Sequence, residues 1–486
     1  MSPGSAWEPV IGLEIHVQLS TRTKMFCGCE LSFGDPPNTH TCPICLAHPG
    51  ALPVTNGEAV RLAILAGLAL GCEIPPESEF HRKNYFYPDL SKAYQISQYD
   101  EPLCVGGRFS VLLPDHEIEV GITRAHLEED AAKLVHLGAD GRRAGAQSSG
   151  VDFNRGGTPL LEIVTEPDLR SAPDAGAFLR QLRQTLRSLG VSDCNMEEGS
   201  LRADANVSVR PAGSTGLGTK TELKNMNSFR FLERGIDAEI ARQIALLDGG
   251  GRVTQETLHF DPDTGEIHSL RSKEEAHDYR YFPEPDLVPL APDRAWVEEL
   301  RAGLPELPVD LRRRWMRDLG LTYEDAEVLS ESPELATYFE AVAALADPKG
   351  AANWVRGELR AQLRELGVEP WESPVTPGRL AELIGLVEDR TLTMPLAKEV
   401  LADVARTGSD PRAVVEERGL GQISDEGELV ALVERLLEDN PAQAEQLRGG
   451  KDKVVGYFVG QAMKASGGRA DPARIGELLR EKAGLA

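Results

Sequence analysis

Four cysteines in two close pairs, Cys27 and Cys29 in a C-x-C and Cys42 and Cys45 in a C-x-x-C, carry the sharpest chemical signal in the chain. Soft thiolates in that number and spacing satisfy a tetrahedral Zn2+. With all four positions taken by protein the site is closed to substrate, so the expected role is a structural staple. His40 and His48 lie near enough in sequence to replace one sulfur. A second signal is carboxylate where carboxylate is costly. Glu162 sits in PLLEIVTEP between Leu161 and Ile163, and a charge there needs a cation or a hydrogen-bond network. Glu14 and His16 alternate with Ile11, Leu13, Ile15 and Val17 in VIGLEIHVQL, and Arg202 and Asp204 alternate with Ala203 and Ala205 in LRADANVSVRP. Glu128, Glu129 and Asp130 follow His126. Singly these read as solvated strand faces or an acidic helix end. Together they are hard oxygen donors from several segments, the set Mg2+ needs, with phosphate oxygens and water completing its octahedron.

A third set is basic and aromatic. HRKNYFYPDLSKAYQISQYD (residues 81–100) holds Lys83, Tyr85 and Tyr87, and DYRYFPEPD follows at residues 278–286. Rings beside Lys and Arg suit stacking on an RNA terminus, and equally suit a Tyr/Pro-rich loop packed on the core. NRGGTPL has two glycines that would let a backbone approach a phosphate, yet it matches neither the Walker nor the dinucleotide pattern. Near the end of the chain Lys451, Lys453, Lys464 and Arg469 collect positive charge, either as a grip on an RNA backbone or as ordinary helix-end cations.

These residues must be positioned by two kinds of element. Up to residue 293 the chain is punctuated by Gly and Pro and carries short alternating segments, among them SVLL, IEVGIT, LLEIVT, ANVSVRP and TKTELKN, with a strand expected over residues 10–19. Helices are expected at TNGEAVRLAILAGLALG and at SAPDAGAFLRQLRQTLRSLG. In the latter Ser171 and Asp174 fit a capping box and Gly190 a stop. A mixed core dominated by antiparallel strands follows. Beyond it the pattern turns to helical periodicity with charged faces, with Asp425 and Asp471 as N-caps and a hinge expected near residues 408–412. The 486 residues exceed one core, and the excess of 77 acids over 52 bases opposes non-specific adhesion to polyanions, so any such partner must meet local basic patches. No export signal or bilayer-length apolar run is seen, which predicts a cytoplasmic protein without membrane contact. Seven cysteines there mean metal ligation or buried thiols. No G-x-S-x-G elbow or cysteine beside a base is evident in the sequence.

VIGLEIHVQL, HRKNYFYPDLSKAYQISQYD, ITRAHLEEDAAK, DFNRGGTPLLEIVTEPD, MEEGSLRADANVSVRP, TELKNMNSF, DYRYFPEPDLVPL and GQAMKASGGRADP together closely resemble the B-subunit family of the tRNA-dependent amidotransferase GatCAB, nearly end to end. The resemblance implies an α+β fold. A mixed, mainly antiparallel cradle domain (1–293) would hold the kinase site, followed by an all-α helical domain (294–408) and a small α-helical tail domain (409–486) that binds tRNA. It implies an enzyme subunit that uses ATP to phosphorylate the side-chain carboxylate of Glu on tRNA(Gln) or Asp on tRNA(Asn). Ammonia from a glutaminase A subunit then forms the amide, with a small C subunit completing the heterotrimer. Carried over by motif, His16, Glu129 and Glu162 resemble Mg2+ ligands, with Glu14 and Glu128 beside metal and nucleotide. Lys83, Arg155, Arg202 and Asp204 fall at phosphate or substrate, whereas the tRNA expectation for Tyr85, Tyr87 and the four tail cations rests on their own ring and charge pattern. The competing expectation is a zinc-stapled tRNA-binding scaffold whose acid faces are merely solvated.

Overall fold

The computed structural model describes residues 6–137, 147–224, 226–261, 264–272, 276–423, 425–451 and 453–484. The chain divides into two compact units, Met1–Leu311 and Arg312–Ala486. In chain order the first carries β1 (Trp7–Gln18), β2 (His81–Asn84), β3 (Tyr94–Ser97), β4 (Cys104–Val105), β5 (Arg108–Leu112), β6 (Glu117–Glu129) and β7 (Lys133–Leu137). It continues with β8 (Ser148–Asp152), β9 (Pro159–Thr165), β10 (Leu201–Pro211), β11 (Thr221–Lys224), β12 (Glu256–Phe260), β13 (Ile267–Ser272) and β14 (Phe282–Pro283).

The main sheet runs β13-β12-β11-β10-β1-β9-β6-β4, with β5 also on β6, and every pairing except β11 with β12 is antiparallel. β1 lies at its centre because it can bury one face completely. Ile11, Leu13, Ile15 and Val17 are all sealed from solvent, and the alternate residues Glu14, His16 and Gln18 are not. The apolar face shares one core with two helices, α1 (Gly57–Ala69) and α2 (Ala172–Ser188). α2 starts as its sequence demands. The Ser171 hydroxyl accepts from the Asp174 N–H at 3.2 Å, Pro173 occupies the first turn, and Gly190 turns the chain away at φ +65.

The first unit continues past the boundary expected at 293, because α4 (Arg294–Ala302), which follows α3 (Phe229–Asp248), buries Val297 in the same core with Trp296 and Leu300 packed beside it. The second unit is helical throughout its described residues, in agreement with an α+β region followed by an all-helical one. Its last segment, from Leu429 to Leu479, has a core of its own around Val433, Phe458 and Ile475. The Asp425 and Asp471 side chains cap helices there as expected, accepting from Glu428 N at 2.8 Å and Ala473 N at 2.8 Å. The segment expected as a hinge is a short helix-to-helix connection with Gly408 at φ +68. Among the described residues no helix is long and apolar enough to cross a membrane.

Candidate functional site

The polar face of the main sheet gathers residues that are far apart in sequence. β1 pairs with β10 so that Glu14 opposes Asp204 and His16 opposes Arg202, and on its other side His16 opposes Glu162 of β9. β9 in turn sets Glu162 opposite His126 of β6. Directly opposed residues share a face, so the register alone brings Glu14, His16, His126, Glu162, Arg202 and Asp204 to one side. β6 runs on through Glu129, so the acidic HLEED segment is the end of a strand and not of a helix.

The side chains close the arrangement. His16 Nε2 lies 3.4 Å from Glu162 Oε2 and 3.5 Å from Glu128 Oε1. His126 Nε2 lies 3.6 Å from the same Glu162 oxygen, while its Nδ1 accepts from Arg124 Nε at 3.3 Å. Ser97 of β3 donates to Glu128 at 3.3 Å. Glu128 and Glu162 are 2% and 6% exposed, which sets aside the expectation of a merely solvated acid face. Burial alone would lower the His16 pKa, but the hydrogen bond and charge of Glu162, with Glu128 and Glu14, raise it to about 9. Burial and the Glu162 charge push Glu128 up to about 7 against the pull of His16 and Lys83. Glu162 itself is held below the usual carboxylate range. Burial opposes its charge, and His126, His16 and Lys83 more than offset that. Burial likewise works against the Lys83 ammonium, and the charge of Glu128, with Tyr281 and Glu162, keeps its pKa above the ordinary lysine value.

Three groups on this face can each place one ligand atom per residue within 4.8 Å of the others: Glu14, His16 and Glu162; His126, Glu128 and Glu162; and Glu14, Asp204 and Glu222. Carboxylate oxygens, joined by one imidazole in each of the first two groups, fit a hard divalent cation. The expected ligand trio is regrouped. Glu129 does not stand with His16 and Glu162, because successive residues of a strand point to opposite faces and Glu128 occupies the face they share. Glu129 instead meets Lys92 Nζ at 2.5 Å and accepts from Ile96 N at 3.0 Å.

The basic residues divide as well. Arg155 donates to the carbonyls of Ala131 and Ala132 at 2.9 Å each, clamping that loop. Arg202 donates to Asp130 Oδ2 at 3.0 Å, and Gln18 Nε2 donates to the same oxygen at 2.9 Å. Its Nε is buried without a partner. Asp204 is taken by Lys224 at 2.6 Å, and Lys224 also meets Glu222 at 3.4 Å. Lys224 and Arg124 were not among the residues singled out from sequence, and Asp130 was named there with the acids after His126 and not as the anchor of Arg202. The alternation of Glu222 and Lys224 in TELK was the available signal for that pair. In NRGGTPL a Cβ at Gly156 would meet Phe153 O and Ala132, and one at Gly157 would meet Lys24 and Cys45.

The tyrosines follow the packing reading in part. Tyr85 donates to Gln95 at 3.2 Å and meets Tyr87 and Tyr279 edge-on, with Lys83 Nζ 5.0 Å from the Tyr279 ring centroid. Tyr87 is 45% exposed, and the ring left most open is Phe86 at 89%, which charge-and-aromatic pattern reading passed over. In the second unit Lys451, Lys453, Lys464 and Arg469 are exposed, and Arg469 Nε donates to Ser466 O at 3.2 Å.

Apart from this face, the sulfurs of Cys27, Cys29, Cys42 and Cys45 lie within 4.8 Å of one another, with Cys42 and Cys45 3.9 Å apart. Bonds of about 2.3 Å to a tetrahedral Zn2+ separate its sulfurs by roughly 3.8 Å, so the four fit that ion. The hydrogen bond with Cys27 outweighs burial and, aided by the Cys42 N–H and Lys24, brings the Cys45 thiol down to about 4. His40 is not part of that cluster among the described residues, and its Nε2 meets Asp35 at 2.8 Å.

Comparison with known proteins finds two family models that match the chain. Residues 9–298 match the family model described as the GatB/GatE catalytic domain, and residues 337–483 match the GatB domain. The chain is 54% identical over 477 residues to the B subunit of the aspartyl/glutamyl-tRNA(Asn/Gln) amidotransferase of Geobacter sulfurreducens, covering 98% of this chain and 99% of that protein. It is 52% identical over 487 residues to the protein of the same description from an Anaeromyxobacter species, covering 99% and 100%. The Moorella thermoacetica counterpart is 52% identical over 477 residues, covering 98% and 99%.

Proposed function

The chain belongs to the B-subunit family of the aspartyl/glutamyl-tRNA(Asn/Gln) amidotransferases and is an amidotransferase subunit, and from that premise we propose that the polar face of the main sheet is where the misloaded carboxylate is activated. The protein works on Glu carried by tRNA(Gln) or Asp carried by tRNA(Asn). A carboxylate is a poor electrophile and is converted to an acyl phosphate before ammonia displaces the phosphate. Such a phosphoryl transfer asks for positioning and charge dispersal, with little covalent chemistry from the protein. The single observation that carries the placement is the convergence of half-buried His16 with the buried Glu128 and Glu162, within 3.5 Å along the His16 contacts.

In this reading His16, Glu162 and Glu128, with Glu14 at the rim, would hold Mg2+. When bound, the ion draws negative charge off the phosphoryl oxygens of ATP. Lys83 and the unpaired Nε of Arg202 supply fixed positive charge on the same side, and Asp130 holds Arg202 in place. Arg155 acts one step back, fixing the loop that leads to Thr158, whose carbonyl accepts from Asp130 N at 2.8 Å. The Cys27, Cys29, Cys42 and Cys45 cluster would hold a structural Zn2+. Lys451, Lys453, Lys464 and Arg469 would meet the tRNA backbone, and Tyr87 with Phe86 a base near its terminus. Ammonia would come from a glutaminase A subunit in a complex with a small C subunit, since this chain has no nucleophile elbow of its own.

The test is the Glu162→Gln variant in the assembled complex. ATP turnover in the presence of misacylated tRNA should fall to background while tRNA binding stays near wild type. Unchanged turnover would remove Glu162 from the site.

A further inference from the structure

We propose that Lys24 is part of the zinc site, a buried ammonium that donates to the Cys45 sulfur and offsets the surplus negative charge left when four thiolates share one Zn2+. The inference rests on the zinc reading given above. Lys24 is 1% exposed. Its Nζ donates to Phe153 O at 2.8 Å and stands 3.7 Å from Cys45 Sγ. Among the described residues it forms no ion pair with a carboxylate, whereas Lys92, on the same cavity of about 270 Å³, has Glu129 at 2.5 Å. A fully buried ammonium requires a counter-charge, and the thiolate cluster is the one in contact.

The backbone is built for this contact. Lys24 N donates to Cys29 O at 3.0 Å, so the residue touches the first cysteine pair through its main chain and the second through its side chain. Gly157 stands at φ +86, where a Cβ would come 3.4 Å from Lys24 Cδ and 4.0 Å from Cys45 Cβ. Glycine suits that backbone conformation, and the lysine stem passes it in ordinary van der Waals contact on its way to the sulfur. Cys42 N also donates to Cys45 Sγ, at 3.2 Å, so Cys45 collects two donors. Groups that hydrogen-bond a metal ligand from outside tune its electron density and the affinity of the site.

The experiment uses the full chain loaded with Zn2+ or with Co2+ and compares wild type with Lys24→Met, Lys24→Gln and Lys24→Arg. Zinc affinity is read by competition with a chromogenic chelator, and the thiolate-to-cobalt charge-transfer band by absorption. Lys24→Met and Lys24→Gln should weaken zinc binding about 10- to 100-fold. They should also move the band to lower energy, because a thiolate that loses its cation is a better electron donor. Lys24→Arg should restore most of both. Lys24→Gln keeps a donor toward Phe153 O and so guards against simple misfolding, which far-ultraviolet circular dichroism reports. Folded Met and Gln variants with wild-type affinity and an unmoved band would overturn the proposal, even if their thermal stability fell. A wild-type chain that takes up neither metal would overturn the zinc reading itself.

Discussion

Replacing Asp130 with alanine probes the network that anchors Arg202 on the polar face of the main sheet. The carboxylate is 5% exposed, and its Oδ2 receives Gln18 at 2.9 Å and Arg202 at 3.0 Å, with Arg155 Nε at 3.8 Å. Hydrogen bonds to a charged group are worth about 1.5–3 kcal/mol each, which sets a ceiling near 6 kcal/mol for the two short ones. The side chains of Arg202 and Arg155 are 38% and 36% exposed and will recover water once released, so the expected loss is nearer 3 kcal/mol. The sign with pH follows from the direction of the Asp130 shift. Burial raises its pKa, but Arg202, Arg155 and Gln18 outweigh that and hold it below 3.8. A carboxyl lowered on folding stabilises above its unfolded pKa and loses that stabilisation as pH falls through the folded value. The difference between wild type and Asp130→Ala should therefore be flat from pH 5 to 8 and shrink below about pH 4. Urea unfolding of the full chain at several pH values measures it. A second readout is the KM for ATP in the assembled complex, which should rise as Arg202 loses its anchor. Unfolding within about 0.5 kcal/mol of wild type at pH 7, the range of ordinary surface substitutions, would refute the reasoning.

Other consequences are independent of that network. His40→Ala should leave about one zinc per chain by elemental analysis, since His40 is held by Asp35, whereas Cys42→Ser should lower it; zinc lost from the histidine variant would place that ring among the ligands. Glu239, sealed from solvent, accepts from Thr221 at 2.7 Å, Gln243 at 2.7 Å and Arg242 at 2.7 and 2.8 Å. Glu239→Ala should cost about 3–5 kcal/mol in chemical denaturation, and a loss under 1 kcal/mol would mean the pocket refills. Lys451→Ala with Lys453→Ala should weaken tRNA binding alike for different tRNA sequences and flatten the logarithmic salt dependence by about 2. An unchanged slope would take both off the backbone.

The elements of the first unit were legible because their signals are local. Alternation in VIGLEIHVQL, LLEIVT and LRADANVSVRP marks strands with one face to bury, and β1, β9 and β10 are those strands, with β1 beginning at Trp7 instead of Val10. Capping chemistry placed the start of α2 at Ala172. The strand at HLEED was harder to read, since three successive acids look like a helix end until β9 pairs along the whole segment. The unit boundary was harder still. α4 has an ordinary amphipathic sequence, and only the place where Val297 lands assigns it to the first core.

Residue types and spacing, by themselves, determined that this protein has a four-cysteine cluster, acids that demand partners, and a strand that must turn Glu14 and His16 the same way, because composition and side-chain period are properties of the chain. Which of these meet was decided by the tertiary structure. The register of β1 against β9 and β10 sets Glu162 and Arg202 across from His16, and the pleat of β6 gives that face Glu128 and sends Glu129 to Lys92. Arg155 turns inward to carbonyls, and Lys24 finds a sulfur. Those outcomes depend on contacts between separate segments, from 21 residues apart for Lys24 with Cys45 to more than a hundred for His16 with Glu162, and no local pattern encodes them.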